Sequence, residues 1–297
     1  MAETGSRAGL AWLFLAPLLV VLAAVAAWPL LRTVAFSFTD AYLGDLSAWQ
    51  AVGLANYALL LQDPLWWRAV GNTLLFTVVS VSLETALGLV IALALNARLP
   101  GRGLLRAAVL IPWAIPTVVS AKMWGWMLHD LYGVVGAVLL GLGVIAEPWA
   151  WLGDPVLSMA AVIAVDVWKA TPFVALLSLA ALQVLPDELY DAARMDGAGP
   201  LRSFFSITLP LIRPALLVAV VFRVLDALRV FDVIYVLTGS NANTASMSVY
   251  ARQQLIEFQD MGYGSAAATC LFLVVAIVTA LVLTVGRAQL GFAGDKA

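Results

Sequence analysis

Polar residues in this chain are gathered into short blocks, and the stretches between them are apolar on every face a helix would present. Six stretches, residues 10–31, 73–95, 105–128, 157–182, 211–237 and 266–285, reach the length of about 20 residues at which an α-helix crosses the hydrocarbon core of a bilayer. The pattern predicts an all-α membrane protein with six transmembrane helices, occupying 1–297 as a single transmembrane domain. The first stretch has two features of a secretory signal, Arg7 ahead of it and Ala24-Val25-Ala26 as an imitation cleavage site. Its apolar length exceeds the roughly 7–15 residues of a signal peptide, so it is read as a retained anchor.

Two apolar stretches carry their own interruptions. Ile111-Pro-Trp-Ala-Ile-Pro116 in the third and Thr171-Pro172 in the fourth free backbone carbonyls at membrane depth. Such irregularity is tolerated where it faces protein or a cavity; a packing kink is the plainer reading. Residues 133–143, small and apolar, read as a short interfacial or re-entrant piece.

The fourth and fifth stretches are separated by a polar island, Pro186-Asp-Glu-Leu-Tyr-Asp-Ala-Ala-Arg-Met-Asp-Gly-Ala-Gly-Pro200, which runs on to Ile207-Thr-Leu-Pro210. Pro186 and Asp187 suit a helix start, and Gly197 a C-terminal stop that tolerates positive φ. Pro200 suits the first turn of a second helix, and Pro210 is expected to limit its end. A helical hairpin lying on the surface without a partner is the bland alternative.

Composition agrees with the membrane reading. The chain is 63% hydrophobic and 11% charged, with a mean hydropathy of +0.97, whereas soluble domains carry roughly 25% charge. The single cysteine, Cys270, and the single histidine, His129, exclude a disulfide framework and a Cys- or His-based metal site. No nucleic-acid partner is expected; membrane lipid is. With the N-terminus cytoplasmic, nine basic residues fall inside: Arg7, Arg98, Arg102, Arg106, Arg194, Arg202, Arg213, Arg287 and Lys296. Three fall outside: Arg32, Arg68 and Arg252. The imbalance puts the N- and C-termini and the island in the cytoplasm, with the chain multi-pass in the cell membrane. Trp49, Trp66, Trp67, Trp149 and Trp151 in the outer loops read as an interfacial belt, or as a contact for a docked extracytoplasmic protein.

Charges inside the apolar stretches are costly, and mark a pathway or an internal pair. Apart from Arg106 and Arg213 at the cytoplasmic ends of their stretches, there are eight: Glu84, Lys122, Asp166, Lys169, Arg223, Asp226, Arg229 and Asp232. The last four recur at every third residue, so Arg223 can pair with Asp226 and Arg229 with Asp232 along one helix. Asp166 and Lys169 have the same spacing. Self-neutralising structural pairs are one reading. A polar pathway is the other, favoured for Asp166, Lys169, Arg223 and Asp226, with Trp113, Trp124, Trp168 and Phe173 as apolar faces for a sugar ring. No glycine-rich phosphate loop is present, because the three lysines are followed by Met123, Ala170 and Ala297. If ATP drives transport, a separate chain must bind it, and this chain is no enzyme and needs no cofactor.

The island resembles the signature of ABC-importer permeases, Glu-Ala-Ala, three residues, Gly, nine residues, Ile-x-Leu-Pro. Asp191, Ala192, Ala193, Gly197, Ile207, Leu209 and Pro210 carry that spacing, with Asp191 where the family usually has Glu. Leu110-Ile-Pro-Trp-Ala-Ile-Pro116, Val167-Trp-Lys-Ala-Thr-Pro-Phe173, Phe231-Asp-Val-Ile-Tyr-Val-Leu-Thr-Gly239, Asn56-Tyr57 and Asn72-Thr73 look like the larger permease of binding-protein-dependent sugar importers, maltose/trehalose branch. The resemblance, over about residues 10–288, implies a type I importer fold, a second homologous permease, and two copies of an ABC ATPase holding ATP and Mg. It also implies an extracytoplasmic sugar-binding protein or lipoprotein. Residues 187–210 would be the coupling loop, through Asp191, Ala192, Ala193, Asp196, Gly197, Ile207, Leu209 and Pro210. The sugar would lie near Trp113, Thr117, Asp166, Lys169, Phe173, Arg223 and Asp226. The charges at Asp166, Lys169, Arg223 and Asp226 depart from the neutral residues of some maltose permeases, which favours a ligand such as trehalose over maltose. Rival readings are an ion-coupled secondary transporter, a permease for a polyol or glycerol-phosphate, and an intramembrane serine hydrolase built on Ser240 or Ser246.

Overall fold

Helices account for most of the chain in the computed structural model, which describes residues 3–97 and 100–290, with side chains for 12–97 and 100–284. Arg98 and Lys296, and the side chains of Arg7 and Arg287, lie outside the described residues. Extended pairing among the described residues is reduced to isolated bridges, Thr39 with Ala51 and Tyr42 with Asp45 and Asp260. In chain order the helices are α1 (Glu3–Leu22, continuing through Ala23–Ala27 and Trp28–Phe36), α2 (Ala55–Gln62), α3 (Pro64–Asn96), α4 (Arg102–Ala114) and α5 (Thr117–Met127). There follow α6 (Val134–Gly141), α7 (Pro155–Leu182), α8 (Asp187–Met195), α9 (Pro200–Ala227), α10 (Asp232–Thr238), α11 (Met247–Arg252) and α12 (Met261–Leu290).

Among the described residues five helices have the length and apolarity to cross a membrane, and the pair α4 and α5 makes a sixth if taken as one span. That third span is no simple helix, because α4 and α5 meet at 92°. Proline explains it: Ile115 and Pro116 are extended, with ψ of 134° and 140°, and Pro116 cannot donate the bond that would continue α4. Pro172, by contrast, sits inside an uninterrupted α7.

The fifth span differs from expectation at both ends. Pro210 does not end the second helix of the island; the helix that begins at Pro200 runs through it to Ala227. A π-helical turn at Phe204–Thr208 makes this possible, the Leu209 N–H reaching back to the Phe204 carbonyl. Widening the helix by one residue just before Pro210 accommodates a ring that has no N–H and needs room. The same device, Ala23–Ala27, precedes Pro29 in α1. At the other end α9 stops at Ala227 and α10 starts anew at Asp232. The Val230 carbonyl released by this break accepts from the buried Ser246 hydroxyl at 2.6 Å.

The chain divides into two compact units. One joins the described residues up to Trp66 to Tyr250–Phe272. There Asn56, buried, donates to the carbonyls of Ser37 and Thr39 at 3.0 and 2.8 Å. Asp63 caps α3 through the Leu65 N–H and accepts from Tyr250 and Tyr263. Burial, followed by the Asp63 carboxylate, pushes the Tyr250 hydroxyl above its ordinary range, so it stays a donor. Trp66, expected in an interfacial belt, is instead buried edge-on against Tyr250.

The other unit holds Trp67–Val249 and the described residues from Leu273. Here α7 is central, packing against α4, α5, α9 and α10. Gly88 lets α3 approach α7: a Cβ there would lie 2.8 Å from Cβ of Val174 and 3.0 Å from the Ala175 nitrogen. Ala92 and Leu95 of α3, Leu179 and Leu182 of α7 and Ile212 of α9 form a buried cluster. Asn72 donates to the carbonyls of Ala242 and Ala245, and Thr73 accepts from the Met247 N–H, so the loop after α10 is fastened to α3.

The strongest fastener is charged. Arg223 of α9 makes a fork to Glu84 of α3, Nε to Oε2 at 2.5 Å and Nη2 to Oε1 at 2.9 Å, and Glu84 is fully buried. Removing one partner of such a pair strands a charge in a medium that cannot solvate it, at a cost of about 3–5 kcal/mol. Arg223→Leu is therefore expected to lower the thermal stability and yield of the detergent-solubilised complex. Adding Glu84→Leu should recover part of the loss, because the two long side chains can be replaced by apolar volume. Wild-type stability in Arg223→Leu alone would contradict the clasp.

Candidate functional site

Above the Glu84 clasp, the rest of the Arg223 guanidinium faces a cavity of about 540 Å³, within the range of small-molecule sites. Its Nη2 also reaches Asp166 of α7 at 3.0 Å and its Nη1 reaches Asp226 at 2.6 Å. One cation thus binds three carboxylates from three helices. The expected Arg223–Asp226 pair exists but is one edge of this network, not a self-contained unit. The carboxylates differ in access: Glu84 is sealed, Asp166 is 13% exposed and Asp226 is 70% exposed. Asp226 is accordingly the carboxylate best able to accept hydrogen bonds from something in the cavity.

Two other expected pairs do not form. Arg229 and Asp232 lie on either side of the break between α9 and α10, and Arg229 Nε donates to the Leu225 carbonyl at 3.1 Å. Lys169, expected beside Asp166, directs its ammonium to the Ile115 carbonyl at 2.8 Å and the Trp113 carbonyl at 3.5 Å, at the break between α4 and α5.

An apolar wall completes the cavity. Trp113 and Phe173 stack with ring centres 6.2 Å apart, and Phe222 meets Phe173 edge-on at 6.3 Å. Thr117, at the first turn of α5, also lines the space. Trp113, Thr117, Asp166, Lys169, Phe173, Arg223 and Asp226 therefore all meet around one cavity. Trp124 and Trp168 are not in its lining; they pack edge-on against each other at 5.5 Å. Phe76, Phe222, Arg229 and Asp232 do line it and were not singled out by sequence for this role. Lys122 is exposed and outside the lining. A carboxylate, an ammonium, a hydroxyl and an aromatic face together suit a ligand with hydroxyls and an apolar side.

The residues of the polar island take the geometry their sequence requires. Helix α8 ends in a Schellman turn, with Ala198 N–H to Ala193 O at 2.9 Å and Gly197 N–H to Arg194 O at 3.0 Å. Gly197 has φ of +74°, and nothing lies within 4 Å of where its Cβ would be, so the demand for glycine is conformational. Asp191 is exposed and paired with Arg194 one turn on. Ala192, Asp196 and Pro210 are exposed, Ile207 and Leu209 half-buried, and Ala193 buried. Tyr190 ties α8 to α9 through the Thr208 hydroxyl at 2.9 Å. Met195 and Leu201 project from either side of the turn, 89% and 76% exposed.

Comparison with known proteins follows the same lines. A trehalose/maltose transport system permease protein, MalF, of Thermococcus litoralis is 48% identical over 241 residues, 80% of each chain. The trehalose transport system permease protein SugA of Mycobacterium tuberculosis is 39% identical over 282 residues, 93% of this chain and 89% of that one. The sulfoquinovosyl glycerol transport system permease protein SmoG of Agrobacterium fabrum is 38% identical over 94% of this chain and 91% of its own. Among solved structures, a chain of a bacterial alginate ABC transporter in complex with an alginate-pentasaccharide-bound periplasmic protein superposes with a TM-score of 0.84, covering 97% of this chain and 98% of that one at 23% identity. Residues 84–289 match the profile of the binding-protein-dependent transport system inner membrane component. With that match over more than half its length and relatives this similar, the chain belongs to the family of inner membrane components of binding-protein-dependent transport systems.

Proposed function

We propose that this chain forms half of the translocation pathway of an ATP-driven importer for a disaccharide of the trehalose or maltose class. The observation that carries the reading is the cavity: seven residues from α4, α5, α7 and α9 meet around one space, to which they present a solvated carboxylate, a hydroxyl and stacked aromatics. Sugar hydroxyls need both donors and acceptors, and a pyranose face packs on an aromatic. The names of the relatives from Thermococcus litoralis and Mycobacterium tuberculosis support the substrate class.

In this reading the chain has a type I importer fold with six spans, α4 and α5 serving as one broken span, and both termini in the cytoplasm. It pairs with a second homologous permease. Two copies of an ABC ATPase, which hold ATP and Mg, bind on the cytoplasmic side, and an extracytoplasmic sugar-binding protein or lipoprotein delivers the substrate. Residues 187–210 are the coupling loop; Met195 and Leu201, exposed on a cytoplasmic turn, are the apolar contacts it offers to the ATPase. Asp191, Ala192, Ala193, Asp196, Gly197, Ile207, Leu209 and Pro210 shape that loop.

A second reading, import of an anionic glycoside, is favoured by one observation. Arg229 places an exposed guanidinium on the cavity, and one relative is named for sulfoquinovosyl glycerol. Family membership argues against the ion-coupled transporter. Ser246 is committed to the Val230 carbonyl and the Val249 N–H, which argues against a hydrolase built on it.

Uptake of labelled trehalose and maltose by the reconstituted complex, with a sulfonated glycoside as competitor, separates the two substrates; competition by the anion alone would reject the disaccharide reading. Asp226→Ala is expected to weaken sugar-stimulated ATPase and uptake by roughly 10- to 100-fold, the value of one or two charge-assisted hydrogen bonds. Assembly should be retained, because Arg223 keeps Glu84 and Asp166; full uptake would remove Asp226 from sugar contact. Gly197→Pro cannot adopt φ of +74° and should abolish sugar-stimulated ATPase in an assembled complex, with Gly197→Ala intermediate. Undiminished coupling in Gly197→Pro would count against the loop assignment.

A further inference from the structure

The carbonyls at the end of α4 present a problem that the backbone itself does not solve. The last four C=O groups of a helix have no partner within it, and in a membrane no bulk water replaces one. Here the next residues, Ile115 and Pro116, are extended, and Pro116 has no N–H to offer. The partner comes from another helix. Lys169 of α7 donates to Ile115 O at 2.8 Å and lies 3.5 Å from Trp113 O. Its positive charge also stands at the negative end of the α4 dipole, where a cation is stabilising.

One turn further along α7, on the same face, Phe173 stacks on the ring of Trp113. Helix α7 therefore meets the end of α4 at two points, through Lys169 at the carbonyls of Ile115 and Trp113 and through Phe173 at the ring of Trp113. The acidic groups around Lys169 are Asp166 and Asp226, and the other cation is Arg223. Those carboxylates are held by Arg223, and Lys169 is left to the carbonyls.

We propose that Lys169 is a positioning residue of the pathway: its ammonium caps α4 across the proline break, sets the angle between α4 and α5, and so holds Trp113 at the cavity wall. This deepens the proposed transport reading by giving Lys169 a task through Trp113 in place of a task as a sugar ligand.

The test is a distance measurement between spin labels at Leu104→Cys on α4 and Val119→Cys on α5, both exposed, with Cys270→Ala, in the assembled transporter in lipid nanodiscs without sugar. Lys169→Met should broaden or shift the distance distribution, since two carbonyls lose their donor. Lys169→Arg, which keeps a cation of similar reach, should restore it. If Lys169→Met does not assemble, Lys169→Gln, which keeps an N–H but no charge, is measured in its place and should loosen the break as well. An unchanged distribution in the variant that assembles overturns the proposal. An unchanged distribution with sugar-stimulated ATPase lost would overturn it in favour of direct sugar contact and leave the transport reading intact. A loosened distribution in Lys169→Met, with no disaccharide uptake by the wild-type complex, would uphold the cap while rejecting that reading.

Discussion

An arginine inside a membrane protein needs acceptors for five N–H groups and compensation for one charge, and much of this molecule is arranged to supply them to Arg223. Glu84 from α3 takes the guanidinium edge in a fork, Asp166 comes from α7, and Asp226 from one turn along α9 itself. The demand is directional, so it specifies how three helices are rotated as well as how near they lie. Apolar packing around Ala92, Leu179 and Ile212 supplies contact area, which by itself tolerates sliding. The close approach at Gly88 brings α3 against α7.

The same network grades its carboxylates from the interior to the cavity. Glu84 is consumed by structure, Asp166 is nearly so, and Asp226 remains available to solvent and ligand. A charged clasp thus ends at the wall of a cavity. The cavity lining carries three carboxylates, Asp166, Asp226 and Asp232, against three cations, Lys169, Arg223 and Arg229.

Irregular backbone shares in both function and stability. The break at Pro116 puts Trp113 and Thr117 at the cavity, and the break after Ala227 brings Phe231 and Asp232 to it. The π-helical turn before Pro210 has the opposite effect, preserving a continuous helix from the polar turn at Gly197 into the span. The island and Arg223 are thus joined by one continuous helix.

Much of this was legible in the chain. Long apolar stretches mark spans because a bilayer core has one thickness, and Gly197 marks a turn because only glycine takes its positive φ freely. Asp166, Lys169, Arg223 and Asp226 could be singled out because charges in hydrocarbon demand a reason. Their partners could not. Spacing at every third residue suggests pairing along one helix, and so it proposed Arg229 with Asp232 and Asp166 with Lys169, but a helix break and a neighbouring helix gave those side chains other acceptors. Glu84 had no partner three or four residues away, the one local sign that its partner must come from elsewhere. Prolines announced interruptions without saying which would bend, because Pro116 meets extended neighbours whereas Pro172 and Pro210 are carried through by the helices around them. Local propensity determined the spans, the turn and the stock of charges; which charge met which acceptor was decided by tertiary packing, since a hydrogen bond depends on distances that sequence separation does not contain.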